Sequence, residues 1–303
     1  MPFENAHERP IHTGRLSPEP VTSEATMTII TISRGSYSRG KAVAEEVASR
    51  LGYECLSRDI LLAASKEFNI PEIKLVRALH DAPSVLERFT HGKERYLCHL
   101  RKSLLQYAVR GNIVYHGLAG QFFLSGIPHV FKLRIIADMA DRVQEEMRRE
   151  NISEEEARYI LMKDDDERRK WGMQVYGIDT WDSRLYDMVL HIGGLTVDDA
   201  ADIVCHAVQK KAFQEAPGSR EAVEDMYLAA QVQNAIITLL PSAVVEAEAG
   251  VVSIIAPDIH SVLTDKAIGR ITAAAKKIEG VKDVLLTTPN PQRNMINPFH
   301  NIH

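Results

Sequence analysis

Apolar positions along this chain recur with two periods. Short β-branched or apolar runs over 28–33, 112–115, 129–136 and 186–192 predict strands, with a further short strand in the segment 52–59. Between them, helical spacing predicts helices over 40–51, 95–110, 139–150 and 196–213, and Leu97, Leu100, Leu104, Leu105 and Ala108 mark the apolar stripe of the second. Ser153-Glu154-Glu155-Glu156 reads as a capping box opening another helix, which carries the charged string Lys163 to Lys170 and then Trp171. Strands alternating with helices imply an α/β fold, a mostly parallel sheet covered on both faces.

The period breaks at Ala216-Pro217-Gly218-Ser219. A second unit follows, with a helix over 220–240, strands over 243–248 and 251–256, a helix over 261–278 and a strand over 281–287, an αββαβ order. Gly250 is expected to turn the hairpin and Gly280 to cap the last helix in the left-handed conformation. Residues 1–26 and 289–303 lack hydrophobic period, so the chain divides into a flexible leader 1–26, a first domain 27–214, a linker 215–220, a second domain 221–288 and a flexible tail 289–303.

The first strand feeds Gly35-Ser36-Tyr37-Ser38-Arg39-Gly40-Lys41-Ala42 and then an amphipathic helix. That is the layout expected of a phosphate-binding loop, because a helix N-terminus presents unpaired N–H groups and a partial positive charge to an anion; an ordinary strand-to-helix turn with a surface lysine is the alternative. Gly35 and Gly40 would permit the tight turn, and Lys41 would set an ammonium against the β and γ phosphates. The position that supplies a metal-supporting hydroxyl in the G-x-x-x-x-G-K-[ST] pattern is Ala42.

Composition narrows the function classes. With 45% hydrophobic and 25% charged residues over 303 positions, the chain has the make-up of a globular protein, with a cytoplasmic location expected. A net charge of −5 argues against broad nucleic-acid binding, and no apolar run approaches a membrane span. Cys55, Cys98 and Cys205 are too scattered for a disulfide framework or a zinc site and read as buried thiols. Asp164, Asp165 and Asp166 cannot all face one point on a helix, so no metal cage is expected there.

Over about 27–210 the chain resembles the cytidylate kinase-like group of P-loop nucleoside monophosphate kinases. The likeness is carried by Ile32-Ser33-Arg34, Gly40-Lys41, Arg58-Asp59, Arg142, Asp165-x-x-Arg168-x-x-Trp171, Tyr176-Gly177-Ile178-Asp179 and Leu185-Tyr186-Asp187-Met188-Val189-Leu190. It implies a three-layer αβα domain that moves the γ-phosphoryl group of ATP, bound with Mg²⁺, to a nucleoside monophosphate such as CMP or dCMP. By that resemblance Lys41 with residues 35–42 and Arg142 would hold phosphates, and Arg58 and Asp59 the acceptor. Arg168 and Arg169 would act from a closing lid supported by Asp165, while Asp187 would fix either a strand end or a lid arginine. The chain departs from the family's pattern at Ala42, at Tyr37 and Arg39, and at His116, which replaces the arginine of a Gly-Arg-Gly element and reads as a structural histidine. Segment 60–110 would form most of the acceptor pocket.

Residues 221–288 resemble a BON domain, which implies a regulatory or ligand-binding module and leaves a homo-oligomer or a ligand open. Two rivals to the kinase stand beside it: a non-catalytic nucleotide sensor with a degenerate loop, and a P-loop kinase for another small acceptor.

Overall fold

In the computed structural model the described residues are 27–35, 39–57, 92–117, 119–256 and 264–288. The expected leader and tail, Ser36, Tyr37, Ser38, Arg58, Asp59 and the acceptor segment up to residue 91 lie outside them.

Five parallel strands form the first sheet: β1 (Ile29–Arg34), β2 (Glu54–Leu56), β3 (Ile113–His116), β4 (Val130–Ile136) and β5 (Met188–His191), in the order β2-β3-β1-β4-β5. β1 lies at the centre, with Ile29 opposite both Ile113 and Val130. Its neighbours mark where the chain switches from one side of the sheet to the other, and in sheets of this kind ligands bind beyond the carboxyl end of the strands at such a point.

Side chains of β1 alternate between two cores. Ile29 joins Leu97, Leu100, Leu104, Phe122, Phe123 and Tyr176 on one face, beneath α2 (Gly92–Ala108) and α3 (Gly120–Phe123). Ile30 and Ile32 join Val43, Val47, Phe131, Leu133, Ala200 and Val204 on the other, beneath α1 (Gly40–Leu51) and α6 (Val197–Val208). This is the predicted three-layer α/β arrangement. Helix α6 stops at Val208 and a single 3₁₀ turn, Lys211–Phe213, follows, where one continuous helix was expected.

Between β4 and β5 two helices stand away from the sheet, α4 (Met139–Glu150) and α5 (Glu154–Tyr176). They pack on each other through a small cluster of their own, Val143, Ala157 and Leu161. Ser153 Oγ accepts from the Glu156 amide at 3.2 Å, as the capping signature predicts. A reciprocal box that the sequence reading did not single out joins Thr196 and Asp199 at the start of α6.

The second unit is α7 (Ser219–Ile236), β6 (Val244–Glu248), β7 (Val251–Ile255), α8 (Asp265–Lys276) and β8 (Asp283–Thr287), the predicted αββαβ order. β6 and β7 are antiparallel, and β8 lies parallel to β7. Ala249 and Gly250 both take positive φ, 49° and 88°, which is the turn expected of a two-residue hairpin loop. Gly280 does not cap α8. The helix ends at Lys276 with a right-handed cap residue, and Gly280 lies beyond it, its carbonyl so close to Gly250 that a Cβ there would come within 2.8 Å.

Helix α7 belongs to both units. Val223 and Ala230 enter the core under α2, while Val232 and Ile236 enter that of the small sheet. Of the cysteines only Cys98 is fully buried, its thiol pushed up to about 12 by burial; Cys55 and Cys205 are half-buried.

Candidate functional site

The site begins where β1 ends. Helix α1 starts after Arg39, which takes a left-handed conformation (φ 56°, ψ 8°) and offers no side-chain cap. Among the described residues no N-cap side chain bonds the first amides of α1, the condition under which a helix start binds an anion. A positive φ at a residue with a side chain is uncommon, and it falls here at Arg39 and not at either loop glycine. Gly40 is needed for another reason. A Cβ there would come within 2.9 Å of the Arg34 stem, which lies across it.

Four cations gather around this point. Arg34 is the last residue of β1, and Arg168 of α5 donates through Nη1 to its carbonyl at 3.3 Å. Arg142 of α4 lies over Gly35, whose Cβ position is 3.7 Å from the Arg142 guanidinium carbon. Arg142 is itself held by Asp165 of α5, with Nη2 to Oδ2 at 2.8 Å and both side chains largely buried. Lys41 in the first turn of α1 is exposed, and its 3.5 Å pair with Glu45 is a surface contact of little energy.

His116 at the tip of β3 registers the resulting field. It pairs in register with Ile32 of β1 and is 5% exposed. Burial, then the charges of Arg34 and Lys41, lower its pKa to about 4, so the imidazole is neutral at physiological pH. Its Nδ1 is enclosed without a hydrogen-bond partner among the described residues.

Other expected site residues lie elsewhere. Arg169, adjacent to Arg168 in sequence, is turned about 100° away around the helix. Its Nε and Nη2 both bond Asp179 Oδ2, at 2.9 and 2.5 Å, and its guanidinium lies 5.1 Å from the Trp181 ring centre. Burial alone would raise the Asp179 carboxyl, but bonds from Arg169 and the Trp181 amide outweigh it and hold the group below its ordinary range. Asp187 accepts from the Lys132 amide at 2.8 Å and lies beside Lys132 Nζ at 3.9 Å, so it fixes the start of β5 and touches no lid arginine among the described residues. Arg39 contributes its backbone to the loop, and Ala42 follows Lys41 inside α1.

Two contributors were missed by site prediction. Arg34 was read only as part of a motif, although a cation ending a strand at a phosphate loop is itself a signal. Arg134, in the middle of β4, is 9% exposed, a buried charge in a run of apolar residues.

A bound Mg²⁺ finds no cage of its own here. Among the described residues no group of three or more His, Cys, Asp or Glu side chains is placed to hold a metal, and the groups around the loop are cationic. Those cations fit nucleotide phosphates, on which a metal would be carried in. No described helix is long and apolar enough to cross a membrane.

Comparison with known proteins gives this geometry a context. A cytidylate kinase of Sulfolobus acidocaldarius is 23% identical over 188 residues, covering 62% of this chain and 97% of that protein. Among solved structures, an uncharacterized protein from Eubacterium ventriosum is 20% identical with a TM-score of 0.47, covering 61% of this chain and 99% of the other. The shikimate kinase from Acinetobacter baumannii in complex with shikimate is 14% identical with a TM-score of 0.36, covering 60% and 93%. Residues 29–193, more than half of the sequence, match the cytidylate kinase-like family, and the chain belongs to that family.

Proposed function

We propose that this protein is an ATP-dependent nucleoside monophosphate kinase, with CMP or dCMP as acceptor, giving the diphosphate and ADP. The observation that carries the reading is the convergence of Arg34, Lys41, Arg142 and Arg168 on the uncapped start of α1. Family membership and the name of the Sulfolobus relative supply the acceptor class.

Phosphoryl transfer spreads negative charge over the migrating group and its two flanking oxygens, so it is accelerated by fixed positive charge and positioning. The α1 amides and Lys41 would hold the β and γ phosphates. Arg168 reaches the loop from α5, and Arg142 reaches it from α4 while tied to Asp165, so the two cations arrive together when the helical pair lies over the loop. Mg²⁺ would enter with ATP and neutralise phosphate charge. In this reading Arg58 and Asp59 contact the acceptor, and the C-terminal unit is a BON-like regulatory or ligand-binding module.

Two observations favour a second reading. Ala42 lacks the metal-supporting hydroxyl and Arg39 strains the loop, features that suit a nucleotide sensor without turnover. The deciding experiment is ADP release from Mg-ATP with CMP, dCMP, UMP, AMP, GMP and shikimate offered separately. Turnover with CMP or dCMP, lost in Lys41→Ala, is the expected result. ATP binding without turnover on any acceptor would replace the kinase by the sensor, and turnover on shikimate alone would point to a kinase for another small acceptor.

A further inference from the structure

A strand position between two core residues ordinarily takes an apolar side chain. In β4 the residue between Leu133 and Ile135 is Arg134, 9% exposed. An arginine stays charged at any physiological pH, so burying it is costly unless its N–H groups are bonded. Arg134 Nη1 donates to the Thr180 carbonyl at 2.8 Å and toward Tyr186 Oη at 3.4 Å, and the guanidinium lies 5.6 Å from the centre of the Tyr186 ring. The Tyr186 hydroxyl in turn donates to the same Thr180 carbonyl at 2.9 Å. It receives Gln121 Nε2 at 3.4 Å and lies 3.3 Å from Oγ of Ser33, the residue before Arg34 in β1.

The network has two hubs, the Tyr186 hydroxyl and the carbonyl of Thr180, which lies in the turn that follows α5. Helix α5 ends at Gly177 in the left-handed conformation, and the chain folds back on itself. Thr180 is buried against Gly172, where a Cβ would come within 2.5 Å of Thr180 Cγ2 and 3.2 Å of the Ile178 carbonyl. Tyr176 is sealed into the main core, stacked on Phe122 at 3.9 Å between ring centres. The carboxyl end of α5 is therefore fastened to the sheet. Its earlier turns pack with α4 around the separate Val143, Ala157 and Leu161 cluster and carry Asp165 and Arg168 to the loop.

We propose that Arg134 and Tyr186 are positioning residues that form the fixed pivot of an α4–α5 lid and so set where Arg168 meets the phosphate loop. The proposal rests on the kinase reading for its consequence and on geometry alone for the pivot. Ser33 gives the pivot a direct link to the strand that ends in the loop.

Two readouts test it. Tyr186→Phe removes one hydroxyl and keeps the ring, Arg134→Met removes the charge, and Arg134→Lys returns the charge with less of the hydrogen bonding. Hydrogen exchange of the amides over 177–186 should rise about tenfold or more in the first two variants, with α1 and α7 unchanged. kcat with the accepted nucleotide should fall about tenfold while ATP affinity by equilibrium dialysis stays within about twofold, and Arg134→Lys should recover part of the loss. Unchanged exchange over 177–186 in folded Tyr186→Phe overturns the pivot. So does a uniform rise across the whole domain, which would mark a general packing role. If the native protein turns over no acceptor, the kinase reading fails while the exchange measurement still decides the pivot.

Discussion

The carboxyl edge of the five-stranded sheet and the C-terminal unit bury opposite kinds of residue. In the C-terminal unit the enclosed positions are Val232, Ile236, Val245, Val252, Ile254 and Ile271, and its polar devices are local, such as the Thr264 cap that accepts from the Ala267 amide. Its buried polar residues among those described are Ser219, at the start of α7, and Gln233, which bonds the Ala243 carbonyl at 3.1 Å and receives Arg101 from the first unit at 3.4 Å, so it lies at the junction. At the sheet edge the enclosed positions include Arg134, Arg142 and His116, each costly to bury. Where a sequence accepts such cost beside an uncapped helix start, charge is being kept for something other than stability.

The comparison breaks most sharply at Lys41. Lys41→Ala should lower turnover by about 10³-fold or more, since it removes a fixed cation from the migrating phosphoryl group. Its side chain is 62% exposed, so the unfolding midpoint in urea should hardly move. A stability loss equal to that of a core variant, with turnover kept, would put Lys41 on the wrong side of the contrast.

The C-terminal unit should answer in the opposite way. Ile254 is 0% exposed, and Ile254→Ala should cost about 2–5 kcal/mol in urea unfolding through lost burial and the cavity left behind. Nucleotide affinity of the folded fraction should stay at the native value. Lost affinity without lost stability would mean that this unit shapes the loop directly.

Within α5 the contrast narrows to two neighbours. Arg168→Ala should lower kcat about a hundredfold with ATP affinity little changed, because its guanidinium lies against the loop strand. Arg169→Ala should lower it less than about threefold, since it releases an exposed ion pair with Asp179 and a contact with the Trp181 ring, both away from the loop. Equal losses in assays of the two variants would show that the helix turns on closing and that the separation seen here is not the working one.

These cases also mark what the sequence disclosed. The succession of elements and the layers were legible from the alternation of apolar runs, because buried parallel strands and amphipathic helices each leave a period; the order of strands in the sheet was not. The hairpin turn was legible at Gly250, but the role of Gly280 was not, since its close approach to Gly250 joins residues thirty apart. At the site, Gly40-Lys41 suggested a phosphate loop, the reading proposed above. That Arg168 faces it and Arg169 does not depends on the rotation of α5, which a run of charges does not encode. Arg134 was in plain view as a charge inside an apolar strand, yet its partners Thr180 and Tyr186 lie 46 and 52 residues away.

The last expected effect concerns His116 and separates field from packing. Its folded pKa is about 4, below the ordinary 6.5, with burial first and then Arg34 and Lys41 as causes. Between those two values the unfolded chain binds the proton and the folded one does not, so stability rises with pH across that window. The contribution is complete above about 6.5, declines by about 1.4 kcal/mol per pH unit on acidification, and levels off below about 4. His129, fully buried and also lowered by burial, acts in the same direction, so the native slope alone cannot be assigned. The measurement is therefore the difference between native protein and His116→Asn in urea unfolding at pH 7.5, 6.0 and 5.0. The native protein should lose more stability than the variant as pH falls, and Lys41→Ala, by removing one of the two cations, should shrink that difference. Parallel lines for native and His116→Asn would mean that the imidazole at the tip of β3 titrates normally, and that the cations at the loop do not act on it.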